Sequence, residues 1–130
     1  MPHYFTREEA EGLLPQITVI LQAIQTTRQA ARDNQLEIES LQDRMRNNGH
    51  GLHERIVQLR SSLEEHIYAL RQLRDELQRF GCELKDPDTG LIDFLSLRNG
   101  AEVYLCWRLG EDRIRFWHTL DGGVAGRQPL

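Results

Sequence analysis

Apolar or small residues, with three polar exceptions, follow a helical period over the first eighty residues of the chain. They recur three and four residues apart, which is the spacing of a heptad seam along one side of a helix. The first run consists of Ala10, Leu13, Ile17, Ile20, Ile24, Thr27, Ala31, Asn34, Ile38, Leu41 and Met45. The second run consists of Leu52, Ile56, Leu59, Leu63, His66, Leu70, Leu73, Leu77 and Phe80. The pattern predicts two long helices, at residues 6–46 and 52–80.

Capping and turn signals separate these two runs. Thr6 and Glu9 have the spacing of a capping box, in which each side chain accepts a hydrogen bond from the other's backbone N–H. The segment Asn47-Asn48-Gly49-His50-Gly51 interrupts the period with residues that tolerate left-handed backbone angles. A turn this short requires antiparallel helices, so residues 6–80 are predicted to form a helical hairpin.

The expected register leaves the start of the first helix without a partner. The second helix should end beside Thr18, so about twelve residues of the first helix extend beyond it, over roughly 18 Å. This overhang carries Leu13, Leu14 and Ile17, which need a cover. Pro15 lies in the same stretch and favours a kink. We therefore expect the rest of the chain to pack on the overhang near Pro15.

A second apolar stripe lies outside the main seam. Its members are Leu14, Val19, Leu21, Val57, Ile67 and Tyr68. Two helices cannot cover all of them, so either the C-terminal part of the chain or a second copy must do so. We expect a homodimer through the helical hairpin, in a four-helix arrangement, and leave open a different protein partner.

Polar residues at seam positions allow two interpretations. Thr27, Asn34 and His66 are expected to form a layer that fixes the helix register, as single polar seam residues do in coiled coils. The alternative is a buried site inside the hairpin. At the tip, His50 and His53 have the spacing of an H-x-x-H metal pair, but two histidines on a turn are a weak signal.

Residues 81–130 change to a pattern typical of strands. A turn cluster at residues 85–90 precedes strand candidates at 91–94, 103–109 and 114–120, which are rich in β-branched and aromatic residues. A four-residue loop would join the last two and pair Leu105 with His118. We therefore predict a single α+β domain over residues 1–130. It consists of a coiled-coil-like antiparallel two-helix hairpin with a small C-terminal antiparallel β-sheet of about three strands on its open end.

His118 is the single ionisable residue on the apolar face of this predicted sheet. Asp93 is its expected partner, because the strand of Asp93 should lie beside residues 103–109. One interpretation is a core histidine with a satisfied hydrogen bond. The other is a ligand or metal site, or a general base, formed by His118 with Asp93, Cys106 and Glu111. The predicted pairing puts Cys106 and His118 on opposite faces, which disfavours a cysteine–histidine nucleophile.

Two basic residues are candidates for binding an anion. Arg127 lies in the glycine-rich tail, residues 122–130, and its guanidinium can bind a carboxylate or a phosphate. Lys85, the only lysine of the chain, is the second candidate. The alternative for Arg127 is an exposed side chain on a frayed tail. The tail glycines form neither a dinucleotide-binding nor a phosphate-loop motif.

Charge and hydropathy disfavour several classes of function. The net charge is −4 and the arginines are scattered, which disfavours a nucleic-acid partner. The first residues lack the basic start and apolar run of a secretory signal, and the most apolar stretch, residues 17–24, is too short to span a bilayer. We therefore expect a cytoplasmic protein with no membrane partner, in which Cys82 and Cys106 are free thiols.

Several segments carry a resemblance to a known family. They are 81–87, 90–94, 102–111, 117–118 and 126–130, together with Phe5-Thr6 followed by Leu13-Leu14-Pro15. These segments resemble the signature of a bacterial family catalogued as domain of unknown function 2203, and the resemblance covers the whole chain. It implies no activity, cofactor or catalytic residue. It implies that one group of signature residues belongs together: Lys85, Asp93, Cys106, Trp107, Glu111, His118 and Arg127.

Two functions follow from these patterns. The first is a non-enzymatic structural or regulatory interaction module, with the hairpin as its docking surface. The second is a metal- or small-ligand-binding protein, with hydrolytic chemistry left open, whose site lies at the junction of β module and hairpin. The chain shows no complete catalytic constellation, which favours the first and leaves its status as an enzyme open. A divalent metal is the cofactor that the second would use.

Overall fold

The computed structural model of the chain describes residues 2–48 and 51–130. Two helices are followed by a C-terminal antiparallel sheet, which confirms the predicted α+β class. The elements are α1 (Arg7–Asn48), α2 (His53–Arg79), β1 (Cys82–Asp86), β2 (Leu91–Arg98), β3 (Ala101–Arg108), β4 (Phe116–Thr119), a 3-10 helix (Val124–Gly126) and β5 (Gln128–Pro129). The sheet has five strands in sequence order, rather than about three. Across the described ranges, neither helix has an apolar stretch long enough to cross a membrane.

The first helix begins at the predicted capping box. Thr6 N donates to Glu9 Oε1 over 3.0 Å, and Glu9 N donates to Thr6 Oγ1 over 3.1 Å. α1 then continues through Pro15 as one helix. Gly49 and His50, and with them the centre of the predicted turn and the pairing of His50 with His53, lie outside the described residues.

Two apolar clusters hold the hairpin together. Near the tip, Ile38 and Leu41 of α1 pack against Ile56 and Leu59 of α2, while far from the tip the seam residues of α1 pack against Leu77. Early residues of one helix therefore meet late residues of the other, which makes the helices antiparallel. Between the clusters, all residues from 25 to 37 are half-buried or exposed. Thr27 and Asn34 of the predicted polar layer lie in this interval, and Nε2 of its third member, His66 of α2, lies 3.5 Å from Ser62 Oγ.

The sheet covers the overhang of α1, as expected. The larger cluster joins Leu14 and Ile17 of α1 to Phe94 of β2 and Trp107 of β3. The segment before α1 also binds the sheet, because Phe5 N donates to Leu95 O over 2.8 Å and the Phe5 ring lies 5.1 Å from that of Phe94. The sheet is thus fixed both to the start of α1 and to the chain that precedes it.

Only part of the second apolar stripe is covered by the sheet. Leu14 and Leu21 are buried, whereas the other four members remain exposed. The exposed members are Val19, Val57, Ile67 and Tyr68. The expected homodimer therefore stays a prediction with these four side chains as its candidate contacts.

The pairing of β3 with β4 differs by one residue from the prediction. Tyr104, rather than Leu105, lies opposite His118, and Cys106 lies opposite Phe116. Because side chains alternate along a strand, a shift of one residue moves every side chain of β4 to the other face. Cys106 and His118 therefore share a face, and the prediction that they lie on opposite faces is wrong.

The connection before β4 explains this shift. The Glu111 carboxylate folds back on the end of β3 and accepts a hydrogen bond from Arg108 N over 2.6 Å. Ile114 leaves the sheet: its N–H donates to Glu11 Oε1 over 3.1 Å, and its side chain is completely buried in the core beside α1. Strand β4 therefore begins at Phe116, and the predicted four-residue loop is wrong.

Candidate functional site

Three buried polar side chains converge on one face of the sheet: Asp93 of β2, Cys106 of β3 and His118 of β4. Asp93 lies directly opposite Cys106 in the β2–β3 pair. Their nearest potential ligand atoms all lie within 4.8 Å of one another. The structure thus brings together three of the four residues proposed for a ligand or metal site.

This cluster lies on the face of the sheet that points away from the helices. Along β2, the neighbours of Asp93 are Ile92 and Phe94, and both belong to the core shared with α1. Successive side chains of a strand point to opposite faces, so Asp93 points away from that core. The predicted position, at the junction of sheet and hairpin, is therefore wrong for Asp93, Cys106 and His118.

His118 makes a polar contact at each ring nitrogen. Nδ1 lies 2.7 Å from Thr119 O, and Nε2 lies 2.9 Å from Asp93 Oδ2. The Asp93 contact confirms the expected partner. A carbonyl oxygen only accepts hydrogen bonds, so Nδ1 carries a hydrogen and donates it to Thr119 O. In a neutral imidazole, Nε2 then presents its lone pair to the Asp93 carboxylate.

Two acceptors now face each other, since an ionised carboxylate also has no hydrogen to donate. This contact needs either a second proton on the His118–Asp93 pair or a cation near both atoms. The other carboxylate oxygen, Asp93 Oδ1, is buried and has no hydrogen-bond partner among the described residues. The Asp93 carboxylate therefore retains unused capacity to bind a proton or a metal ion.

Cys106 is a buried thiol rather than an activated nucleophile. It has no exposed surface. Burial is the main cause, and the charge of Asp93 the second, that raises the pKa of the Cys106 thiol to about 11. The thiol is therefore protonated near neutral pH. A nucleophilic cysteine needs a lowered pKa. A bound metal ion, in contrast, would deprotonate a coordinating thiol.

A cavity of about 360 Å³ leads to Asp93 and His118. Part of its wall comes from the connection after β4 and the start of the 3-10 helix, through Leu120, Asp121, Gly123 and Val124. Other lining side chains come from β1 and β3, namely Lys85, Tyr104 and Arg108. A small molecule can thus approach the carboxylate and the imidazole from the side opposite the helices.

Glu111, the fourth proposed site residue, is not part of the converging group. Its Oε1 accepts hydrogen bonds from Arg108 N and, over 2.7 Å, from Arg127 Nη2. Arg127 is largely buried, its guanidinium lies 4.2 Å above the Phe116 ring, and Nη2 also lies 3.4 Å from Cys106 O. Glu111 and Arg127 therefore fix the C-terminal segment to the end of β3.

The tail beyond Arg127 is ordered, in contrast to the frayed alternative. Gln128 pairs with Trp117 and Pro129 with Phe116, which forms β5. Leu130 N then donates to Arg115 O over 2.8 Å. With its charge matched by Glu111, Arg127 is a weak candidate for binding a further anion.

Lys85 lies at the irregularity between β1 and β2 and lines the cavity. Its ammonium is 2.8 Å from Glu83 Oε2 and 5.3 Å from the centre of the Tyr104 ring. The hydrogen bond to Glu83 raises the pKa of Lys85, so the side chain stays charged.

Tyr104 and Arg108, two further cavity residues, were missing from the predicted site. Each lies two residues from Cys106 on β3, so their side chains are on the same face of the sheet as Cys106. This face is recognised as the site only when β3 and β4 are paired in the observed register.

Neither the curated proteins nor the solved structures contain a match to this chain. One family model does match, and it covers residues 3–130, nearly the whole sequence. The chain therefore belongs to the family described as "Uncharacterized conserved protein (DUF2203)", which confirms the resemblance found in its sequence motifs.

Proposed function

We propose that this protein binds a divalent transition-metal ion through Asp93, Cys106 and His118. The observation that carries the proposal is the convergence of these three buried side chains, whose potential ligand atoms all lie within 4.8 Å of one another. A metal-bound histidine usually donates its other ring N–H to a carbonyl or a carboxylate, which orients the coordinating nitrogen. The contact of His118 Nδ1 with Thr119 O supplies this second interaction.

The donor set favours zinc among the common divalent ions. Thiolate sulfur, imidazole nitrogen and carboxylate oxygen are all zinc ligands, whereas magnesium and calcium prefer oxygen alone. A cation would also compensate the charge of the buried Asp93 carboxylate and give Oδ1 a partner. Three protein ligands leave one position of a tetrahedral site free, and the cavity provides access to it.

The competing explanation is a protonated histidine that forms a buried ion pair with Asp93. Metal analysis separates the two. Protein purified without chelators should contain about one zinc ion per chain by mass spectrometry. His118→Ala and Cys106→Ser should each weaken zinc binding at least tenfold. His66→Ala is the matched control, because His66 lies in the hairpin and contacts Ser62.

The opposite result would favour the ion pair. If the protein binds no zinc at micromolar concentrations, and His118→Ala only lowers the melting temperature, the metal proposal fails. The cluster would then be a part of the fold, and an interaction role of the hairpin would be the better explanation.

A second candidate function is a structural or regulatory interaction module that forms a homodimer through the hairpin. Val19, Val57, Ile67 and Tyr68 support it, because each is at least 41% exposed although large and apolar. Sedimentation should then show a dimer, and Tyr68→Glu should weaken it. A monomer at high protein concentration would contradict this candidate.

For both functions we propose the cytoplasm as the compartment, since Cys82 and Cys106 form no disulfide.

A further inference from the structure

We infer that the open position of the proposed metal site takes a small oxyanion, a carboxylate or a phosphate, whose far end binds Arg108. This inference rests on the proposed function. It concerns the cavity and not the three metal ligands, so it can fail while the metal site stands.

The cavity limits the size of the ligand. Its volume of about 360 Å³ is near the lower end of the range of small-molecule sites, about 300–1,000 Å³. Asp93 and His118 form part of its lining, so a ligand in the cavity lies next to the proposed ion. A molecule with a carboxylate or a phosphate group and a short body fits this space.

Arg108 provides an unused cation at the same cavity. It lies two residues after Cys106 on β3 and therefore on the same face of the sheet. Its backbone N–H is bound by Glu111, but within residues 2–48 and 51–130 its guanidinium makes no hydrogen bond or ion pair. A free guanidinium presents a planar fork of donors that matches carboxylate and phosphate oxygens.

The two further carboxylates of the cavity wall have local partners. Asp86 accepts hydrogen bonds from Asp88 N and Thr89 Oγ1, each over 3.0 Å, and thereby closes the turn between β1 and β2. Asp121 Oδ1 accepts one from Thr119 Oγ1 over 3.1 Å. A cationic ligand at this place would be repelled by both the metal ion and Arg108, whereas an anion would be attracted by both.

Cobalt(II) offers a direct test, because it replaces zinc in such sites and its visible spectrum reports on its ligands. The cobalt-loaded full chain is titrated with inorganic phosphate and, separately, with acetate. We expect at least one of them to shift the spectrum in a saturable manner, and the two titrations identify which oxyanion is preferred. In Arg108→Gln the apparent dissociation constant should rise at least tenfold. In Arg113→Gln, which alters an exposed arginine outside the cavity, it should change less than twofold.

Each failure has its own signature when the metal content is measured after gel filtration. Cobalt retained with no spectral response to either anion would overturn the inference and leave the metal site intact. An equal response in Arg108→Gln and in the unmodified chain would overturn the role of Arg108. Failure to retain cobalt would overturn the proposed function and, with it, this inference.

Discussion

His118 and Asp93 form an almost completely buried pair, with 2.9 Å between Nε2 and Oδ2 and side chains 3% and 2% exposed. Removing one member of a buried pair leaves the other without compensation, which costs about 3–5 kcal/mol when the pair is charged. We predict that His118→Ala lowers the free energy of unfolding of the metal-free chain by about 3 kcal/mol, measured by urea denaturation.

The double variant Asp93→Leu, His118→Leu provides the control for this pair. It removes both polar groups, so its loss of stability should be smaller than the sum of the losses in the single variants Asp93→Leu and His118→Leu. Additive losses would show that the two side chains do not stabilise each other.

Glu111 should be more important for stability than its neighbour in the same loop. Glu111→Ala leaves Arg127 buried without its carboxylate and frees Arg108 N, so we expect a loss of about 2–4 kcal/mol. Asp112→Ala is the matched control, since the ion pair of Asp112 with Arg115 is exposed and should contribute little. Urea denaturation of both variants measures the difference. Equal losses would contradict the anchoring role of Glu111.

Two glycine-to-alanine substitutions should change the stability of the fold in opposite directions. Gly81 has a φ of +88°, and an added Cβ would lie 2.8 Å from Cζ of Phe5, so Gly81→Ala should cost about 1–2 kcal/mol or more. Gly12 is exposed within α1 and an added Cβ meets nothing within 4 Å. Gly12→Ala should therefore stabilise the chain by about 0.5–1 kcal/mol. Thermal denaturation of the two variants tests both, and a loss of stability in Gly12→Ala would contradict this account of the helix.

Alkaline pH should destabilise the fold through Cys82. Burial raises the pKa of this thiol from 9.0 to about 12. Above about pH 9 the unfolded chain releases a proton that the folded chain keeps, so stability falls with rising pH, by up to about 1.4 kcal/mol per pH unit, until about pH 12. Denaturation at pH 8 and pH 10 should show a smaller fall for Cys82→Ala. An unchanged fall would assign the alkaline loss to other groups.

The hairpin could be predicted because its information is local and repeated. Many seam positions agree on one period, and the Thr6–Glu9 capping box fixes the first end to within one residue. The proximity of Asp93 and His118 was also predictable, because their strands both flank β3, but their placement on one face depends on the β3–β4 register. The turn Asn99-Gly100, with φ values of 52° and 81°, is a two-residue hairpin signal, and it explains why β2 extends to Arg98, beyond the predicted strand 91–94.

The register of β4 was not predictable from local pattern. It depends on Ile114, which leaves the sheet because Glu11, distant in sequence, binds its N–H and the core accepts its side chain. β5 has only two residues, too few for a periodic signal, and follows the anchored Arg127. Both features arise from tertiary contacts that override the strand pattern, and together they determine which side chains reach the site.

The loop before β4 determines which side chains the sheet presents to the cavity. Side chains alternate between faces, so a slip of β4 by one residue along β3 would turn His118 toward the hairpin and Trp117 toward the cavity. An insertion that the irregular loop absorbs would leave the cluster intact, whereas one that moves the start of β4 by a single residue would disperse it. The contact of Ile114 with Glu11 therefore protects the cluster from changes of length earlier in the loop.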